Sequence, residues 1–305
     1  DGKKLPEYKD RIQNLSVAYS CPEWIIRMWQ KDYSEDVMMD MLRSSVGRPP
    51  VTVRLNTLRF GIDEITSSLQ AQGAKLRMFD APDSCAELFG CGAVEELEAY
   101  KRGMFHVQDV SCQICAAQLG AKESDTVLDM CSAPGGKAFT IAQMMNDRGK
   151  VFAFDLHENR VRLISSGAKR LGLGSVLAMV NNAKAYNPDI PAADAVLCDV
   201  PCSGLGVIRR KPEIKYCDRD AIAGLPAVQY DILRCSSQYV KSGGTLVYST
   251  CTIRREENDL VAGRFLEEHA EFEPLELNGF SDYKVTMTPS MFGGDGFFIA
   301  KFKRR

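Results

Sequence analysis

Histidine is scarce. The 305 residues hold three, His106, His157 and His269, and none stands near another. A Ser-His-Asp or Cys-His hydrolase, which needs an imidazole beside its nucleophile, is therefore disfavoured. No apolar run approaches the length of a membrane span. Neither sign of charge dominates: 38 Lys and Arg oppose 40 Asp and Glu for a net charge of −2, which argues against a general nucleic-acid binder. A leader with a basic start and an apolar centre is also missing, and the chain begins with Asp1 rather than Met, so it reads as a fragment of a longer protein. Repeats and low-complexity tracts are lacking. What is plentiful is cysteine: eleven, an odd number without framework spacing, which points to reduced thiols and a cytoplasmic protein. Cys112 and Cys115 form a C-x-x-C within S-C-Q-I-C-A-A-Q-L, which looks helical, and no second ligand pair follows; no metal is expected.

Three parts succeed one another. Leu5 to Met41 reads as helices: Ser20-Cys21-Pro22-Glu23 looks like a helix start with its proline in the first turn, and Ser34 with Val37 has cap-like spacing. Residues 1–50 are expected to be a helical segment. Val51 to Leu58 alternates as a half-buried strand does, and a helix Asp63 to Gln70 and a strand Lys75 to Met78 follow. Residues 51–107 thus form a small α+β unit. In residues 108–305 helices alternate with buried strands. Strands are expected at Thr126–Met130, Val151–Leu156, Val176–Asn181, Ala195–Cys198, Thr245–Ser249 and Phe297–Phe302, and helices at Ser111–Leu119, Ala138–Met145, Glu158–Leu171 and Glu256–His269. A further helical stretch, broken near Gly224 and Pro226, runs to Val240. This alternation predicts an α/β fold with a doubly wound, mostly parallel sheet. The last strand follows Gly293-Gly294-Asp295-Gly296, a turn that suits a hairpin partner.

The organising stretch is Asp125 to Lys137, D-T-V-L-D-M-C-S-A-P-G-G-K. A buried strand, a glycine turn and a helix place backbone N–H groups and a helix N-terminus at the carboxyl edge of a sheet, where nucleotide-like ligands bind in open α/β folds. G-x-G-x-x-G is absent, and Ala138 follows Lys137 where a phosphate loop wants Ser or Thr, so neither a dinucleotide fingerprint nor a P-loop is present. Val151 to Leu156 carries Asp155 near its end, twenty residues after Gly135, in the place to accept hydrogen bonds from ribose hydroxyls. An adenosine-containing ligand is the expectation.

Cys202 in D-V-P-C-S-G and Cys251 in Y-S-T-C-T both lie just past strand ends, as does Asp199. All three should project into the crevice that Gly135 and Asp155 define. A thiolate becomes a strong nucleophile when a cation or a helix N-terminus lowers its pKa, and the helix expected from Glu256 follows Cys251 closely. Spacing alone leaves the two thiols interchangeable. Arg209, Arg210 and Lys211 follow Cys202 as a basic run beside this crevice; were the partner a nucleic acid, they would be its candidate phosphate contacts.

Four long motifs in this order, Cys131 to Lys137, Asp199 to Tyr216 (D-V-P-C-S-G-L-G-V-I-R-R-K-P-E-I-K-Y), Ser249 to Asn258 (S-T-C-T-I-R-R-E-E-N) and Asp295 to Phe302 (D-G-F-F-I-A-K-F), closely resemble the NOL1/NOP2/Sun family of RNA cytosine-C5 methyltransferases. S-C-P-E-W near Cys21, V-R-L-N-T-L near Arg54 and V-Q-D-V-S near Gln108 are similar to its bacterial branch, which methylates 16S ribosomal RNA. The resemblance implies a Rossmann-like methyltransferase domain with S-adenosylmethionine held by Cys131, Ser132, Ala133, Pro134, Gly135, Gly136, Lys137, Asp155 and Asp199. Asn182-Ala183 stands where family members carry Asp-Ala, which puts the adenine contact of Asn182 in question. It further implies Cys251 as the nucleophile toward C6 of cytosine, Asp199 at the ring edge, and Cys202 in release of the product. The expected partner is unassembled 16S rRNA and the expected state a monomer; a NusB-like domain, which the branch carries at its N-terminus, does not precede Leu5. Other readings are methylation of tRNA or 23S rRNA, a small-molecule methyltransferase of the same fold, and a non-catalytic RNA-binding module.

Overall fold

The computed structural model describes residues 8–305, so Leu5, the expected start of the first helix, lies outside the described residues. Helix α1 (Arg11–Tyr19) is capped by the Asp10 carboxylate, which accepts from the Ile12 N–H. Helix α2 (Glu23–Asp32) has Pro22 at its N-cap and no capping side chain. This corrects the sequence expectation: the proline precedes the first turn, and Ser20 is the left-handed C-cap of α1, with φ of 47°. Helix α3 (Glu35–Ser44) starts as its spacing predicts, with Ser34 accepting from the Val37 N–H. Apolar faces of α2 and α3, Ile25, Ile26, Trp29, Met38 and Leu42 among them, bury against Leu205, Ile208 and Ile253, residues that shortly follow the two candidate cysteines.

A second unit is built from β1 (Val51–Leu55), α4 (Ile62–Gln70), β2 (Lys75–Met78), β3 (Cys85–Phe89), α5 (Glu98–Lys101) and β4 (Phe105–Val107). Its strands form an antiparallel sheet in the order β2-β3-β1-β4 around Val53, Leu55, Ile65, Leu69, Ala86 and Phe105. Strand β1 ends at Leu55, short of the expected Leu58, because the buried Asn56 leaves the ladder: its amide donates to the Gly103 and Leu171 carbonyls, both at 2.9 Å.

The remaining elements are α6 (Val110–Ala117), β5 (Thr126–Asp129), α7 (Gly136–Met144), β6 (Lys150–Asp155), α8 (Glu158–Leu171), β7 (Val176–Val180), β8 (Ala193–Asp199), α9 (Arg219–Ala223), α10 (Leu225–Ser237), β9 (Val240–Thr250), α11 (Asp259–Glu268), β10 (Phe272–Pro274), β11 (Lys284–Met287), α12 (Pro289–Phe292) and β12 (Phe297–Arg304). They form a sheet in the order β10-β12-β9-β8-β5-β6-β7, with β11 also on β12. Strands β9, β8, β5, β6 and β7 run parallel, and β12 runs antiparallel to β9. Helices cover both faces, so strands such as Leu246-Val247-Tyr248 are wholly buried and read as continuous apolar runs. The glycine turn before β12 does precede a hairpin-like pairing, with β11 as partner. Most boundaries shift by one or two residues from expectation, and two shift in a way that bears on the site. Val240 opens β9 rather than closing a helix, and α11 begins at Asp259, not Glu256. The carboxyl ends of β5, β6, β8 and β9 share one edge, which sets Asp129, Asp155, Asp199 and Thr250 in a row.

Candidate active site

That edge opens into a cavity of about 450 Å³, a volume suited to a small ligand, lined by Cys131, Ala133, Asp155, Asn182, Asp199, Cys202 and Cys251 among others. Seven of the residues singled out in the sequence therefore meet in one place. Of the loop Cys131 to Lys137, Cys131 and Ala133 form the wall, while Gly135 is the N-cap of α7 with φ of 109°. A Cβ at Gly135 would lie 2.4 Å from the Phe139 ring, so the turn requires glycine both for its dihedral and for its packing. Asp155 is buried at the end of β6, where Oδ1 accepts from the His157 N–H at 3.1 Å and Oδ2 pairs with Arg160 at 3.1 Å.

Two neighbouring residues escaped the sequence reading. Asn181 lines the cavity and is buried, and its Nδ2 has no hydrogen-bond partner, whereas Asn182 is exposed and its side chain accepts from the Lys184 N–H. Asp129 is fully buried with both carboxylate oxygens unpartnered, and burial pushes its pKa up to about 7. The signal was available, since an acidic residue ends the apolar strand T-V-L-D.

Beside the cavity, Lys137 Nζ donates to Asp199 Oδ2 at 2.7 Å, and Ser249 Oγ donates to Asp199 Oδ1 at 2.8 Å. The ammonium also lies 3.4 Å from Cys112 Sγ and 5.0 Å from the centre of the Phe297 ring. Burial opposes the Lys137 charge, but Asp199 outweighs it and holds the lysine well above its usual pKa range. The Cys202 and Cys251 sulfurs are 3.1 Å apart. The hydrogen-bonded contact with Cys202, in which either thiol can donate, lowers the pKa of Cys251 against burial and the Asp199 charge, and Lys137 adds to the lowering. Cys202 is held well above the usual thiol range, first by that same bond and then by burial. The helix N-terminus anticipated from the sequence is not the cause of the lowering at Cys251, since α11 starts at Asp259.

The basic run is partly tied into the protein. Arg209 donates to Asp295 Oδ1 at 2.7 Å and to the Gly293 carbonyl at 3.0 Å. Arg210 donates to Asp295 Oδ2, to Asp109 Oδ2 at 2.9 Å and to the Pro50 carbonyl at 2.9 Å. Both guanidinium groups are thus bonded to carboxylates and backbone within the protein, while each keeps part of its surface exposed. Lys211 is exposed, and no ion pair involves it among the described residues.

A family model described as 16S rRNA methyltransferase RsmB/F matches residues 116–303, and one described as the RsmF/B-like ferredoxin-like domain matches residues 21–88. The chain belongs to the RsmB/F methyltransferase family. It is 36% identical over 310 residues to the probable ribosomal RNA small subunit methyltransferase B of Bacillus subtilis, covering 97% of this chain and 69% of that one. To the ribosomal RNA small subunit methyltransferase B of Escherichia coli O6:H1 it is 34% identical, covering 96% and 68%. A crystal structure described as PH0851 superposes with a TM-score of 0.90 at 29% identity, covering 99% of this chain and 70% of that one. The fold is shared as well with NSun6 from Pyrococcus horikoshii, solved with the S-adenosylmethionine analogue SFG, at a TM-score of 0.84, 20% identity and coverage of 93% and 98%. RsmB/F proteins are S-adenosylmethionine-dependent RNA methyltransferases, and the cavity fits that cofactor. It offers the Asp155 carboxylate for hydroxyls and the unpartnered Asn181 amide for a heterocycle.

Proposed function

We propose that this RsmB/F protein methylates C5 of a cytosine in 16S rRNA through a covalent adduct between Cys251 and C6 of the base. The observation that carries this reading is the 3.1 Å contact of Cys202 with Cys251 beside Asp199, at the wall of a nucleoside-sized cavity. Cytosine C5 is a poor nucleophile. Adding the Cys251 thiolate to C6 turns the ring into an enamine-like species whose C5 can attack, which divides one hard step into easier ones. S-adenosylmethionine supplies, when bound, a methyl group on a cationic sulfur, with Asp155, Asn181, Asn182 and the Cys131–Lys137 loop as its holders. Asp199 already accepts from Lys137 and Ser249, yet a carboxylate has further lone pairs, and one of these meets the cytosine edge and favours a proton at N3 as charge develops. Loss of the C5 proton and expulsion of the Cys251 thiolate complete the turnover, and Cys202 serves that release. Lys211 is the cation of the run that is left for RNA phosphate.

The test is transfer of labelled methyl from S-adenosylmethionine to naked 16S rRNA, with chemical identification and mapping of the product. A single 5-methylcytosine is expected, and Cys251→Ala should abolish it. Methylation at a different atom, or activity retained in Cys251→Ala, overturns the covalent route. Selective methylation of tRNA or 23S rRNA instead replaces the substrate and keeps the chemistry.

A further inference from the structure

The hydrogen bond found for either sulfur, Cys202 or Cys251, is to the other. Their neighbours in the chain are fixed. Glu257, wholly buried in the loop between β9 and α11, accepts on Oε2 from the Ser203 N–H at 2.9 Å and from Gln229 Nε2 at 2.8 Å. Gln229, wholly buried on α10, donates from the same nitrogen to the Pro201 carbonyl at 2.9 Å. The residues on both sides of Cys202 are thereby held by one carboxylate–amide pair. On the other side of the site, Asn258 accepts from Thr250 Oγ1 at 2.6 Å and donates to the Thr252 carbonyl at 2.9 Å, which holds both neighbours of Cys251. The Ser203 and Thr252 hydroxyls, 2.9 Å apart, join the two loops.

We infer that Glu257 and Gln229 are positioning residues that keep the Cys202 thiol against Cys251 and so control release of the covalent adduct, an inference that rests on the covalent reading above. A buried carboxylate is retained only where it is paired or hydrogen-bonded. Glu257 has two N–H donors on one oxygen and Arg254 at 3.6 Å from the other. It does not line the cavity, so its removal should bear on the cysteine loops and leave cofactor binding alone. If it acts through Cys202, losing it should reproduce loss of Cys202.

The experiment compares Cys202→Ala, Glu257→Ala, Glu257→Gln, Gln229→Ala and the Cys202→Ala/Glu257→Ala double variant on unmodified 16S rRNA with S-adenosylmethionine. It reads turnover, cofactor affinity by calorimetry, and denaturation-resistant protein–RNA adduct. Glu257→Ala is expected to lower turnover at least about tenfold and to accumulate adduct as Cys202→Ala does, with cofactor affinity within about twofold of wild type. Glu257→Gln, whose amide oxygen can still accept, should recover much of the turnover. The double variant should be no worse than Cys202→Ala alone, as expected for residues that act as a unit. Should Glu257→Ala fail to fold, Gln229→Ala gives the same reading on adduct. Lower turnover without adduct, or additive losses in the double variant, overturns the inference. Wild-type protein on 5-fluorocytidine-substituted RNA separates the two layers: no adduct there sinks the covalent reading itself, whereas adduct there and none in the variants sinks only the positioning role.

Discussion

Two ion clusters flank the active site, built from the same kinds of residue and put to different ends. In the first, Lys137 meets Asp199, and the Asp199 side chain keeps 27% of its surface exposed at the cavity wall. In the second, Arg209 and Arg210 close on Asp295, only 4% exposed, with Asp109 behind. The carboxylate of the first cluster has lone pairs left for a ligand. That of the second accepts on both oxygens from arginines and faces no cavity, so it works as a strut between the loop after Cys202, the start of α6 and the turn before β12. What separates the two pairs is the accessibility of the carboxylate, and on the proposed function only Asp199 can meet a ligand.

Substitutions can break this contrast. Asp199→Ala should be the most severe for chemistry, lowering methyl transfer per folded molecule by about 10²–10³-fold or more, as removal of a preorganised charge at a reacting centre does, and it also costs stability by stranding the buried Lys137 ammonium. Methyl-transfer kinetics beside a denaturation curve check it; near-normal turnover would move Asp199 into the structural class. Asp295→Ala should cost stability alone. It leaves two half-buried guanidinium groups short of a partner, which costs about 3 kcal/mol in urea denaturation, yet the molecules still folded should methylate at the wild-type rate.

Asp129 sharpens the comparison as a buried carboxyl with no cation bonded to it. Its folded pKa of about 7 stands above the ordinary 3.8, so the native state keeps a proton that the unfolded chain has released. The stability this contributes is present below the unfolded value and is lost as pH rises toward the folded one. Asp129→Asn should therefore flatten the pH dependence of cofactor-free stability and stabilise by about 2 kcal/mol near pH 8 relative to wild type. Unfolding curves at several pH values decide it, and an unchanged slope would assign Asp129 a different protonation state. The smallest effect belongs to Lys211→Ala. RNA affinity should weaken modestly, the slope of log affinity against log salt should fall by about one, and cofactor affinity should not move.

Much of the cofactor half was legible in the chain. Strand, glycine turn and helix are local events, and the expected helix Glu158–Leu171 and the placement of Asp155 agree with the structure. Errors gathered where distant residues decide. The start of β9 was missed because Gly243-Gly244 reads as a turn, whereas Gly243, with φ of 77°, sits inside a strand whose register against β8 shifts between Ala193 and Ala195. Glu256 to Asn258 looked like a helix start, but the Asn258 side chain holds the threonines around Cys251 and the helix waits for Asp259. No local pattern tells that Arg209 and Arg210 will meet Asp295, more than eighty residues on. Glu257 was invisible for the same reason: its partners Ser203 and Gln229 lie 54 and 28 residues away.

The seam between the N-terminal helices and the cysteine loops bears on the order of events during synthesis. Tyr33 donates through its hydroxyl to the Ile253 carbonyl, 220 residues further along, and Trp29 and Met38 share a core with Leu205 and Ile253. At about 5–20 residues per second, roughly 10–45 s separate emergence of the two halves of that contact. Throughout that interval α2 and α3 have an apolar face with no partner. The loops that carry Cys202 and Cys251 therefore meet α2 and α3 only after the strands of the parallel sheet that lie between them in the chain have been made, which places completion of the site late among the folding steps of these residues.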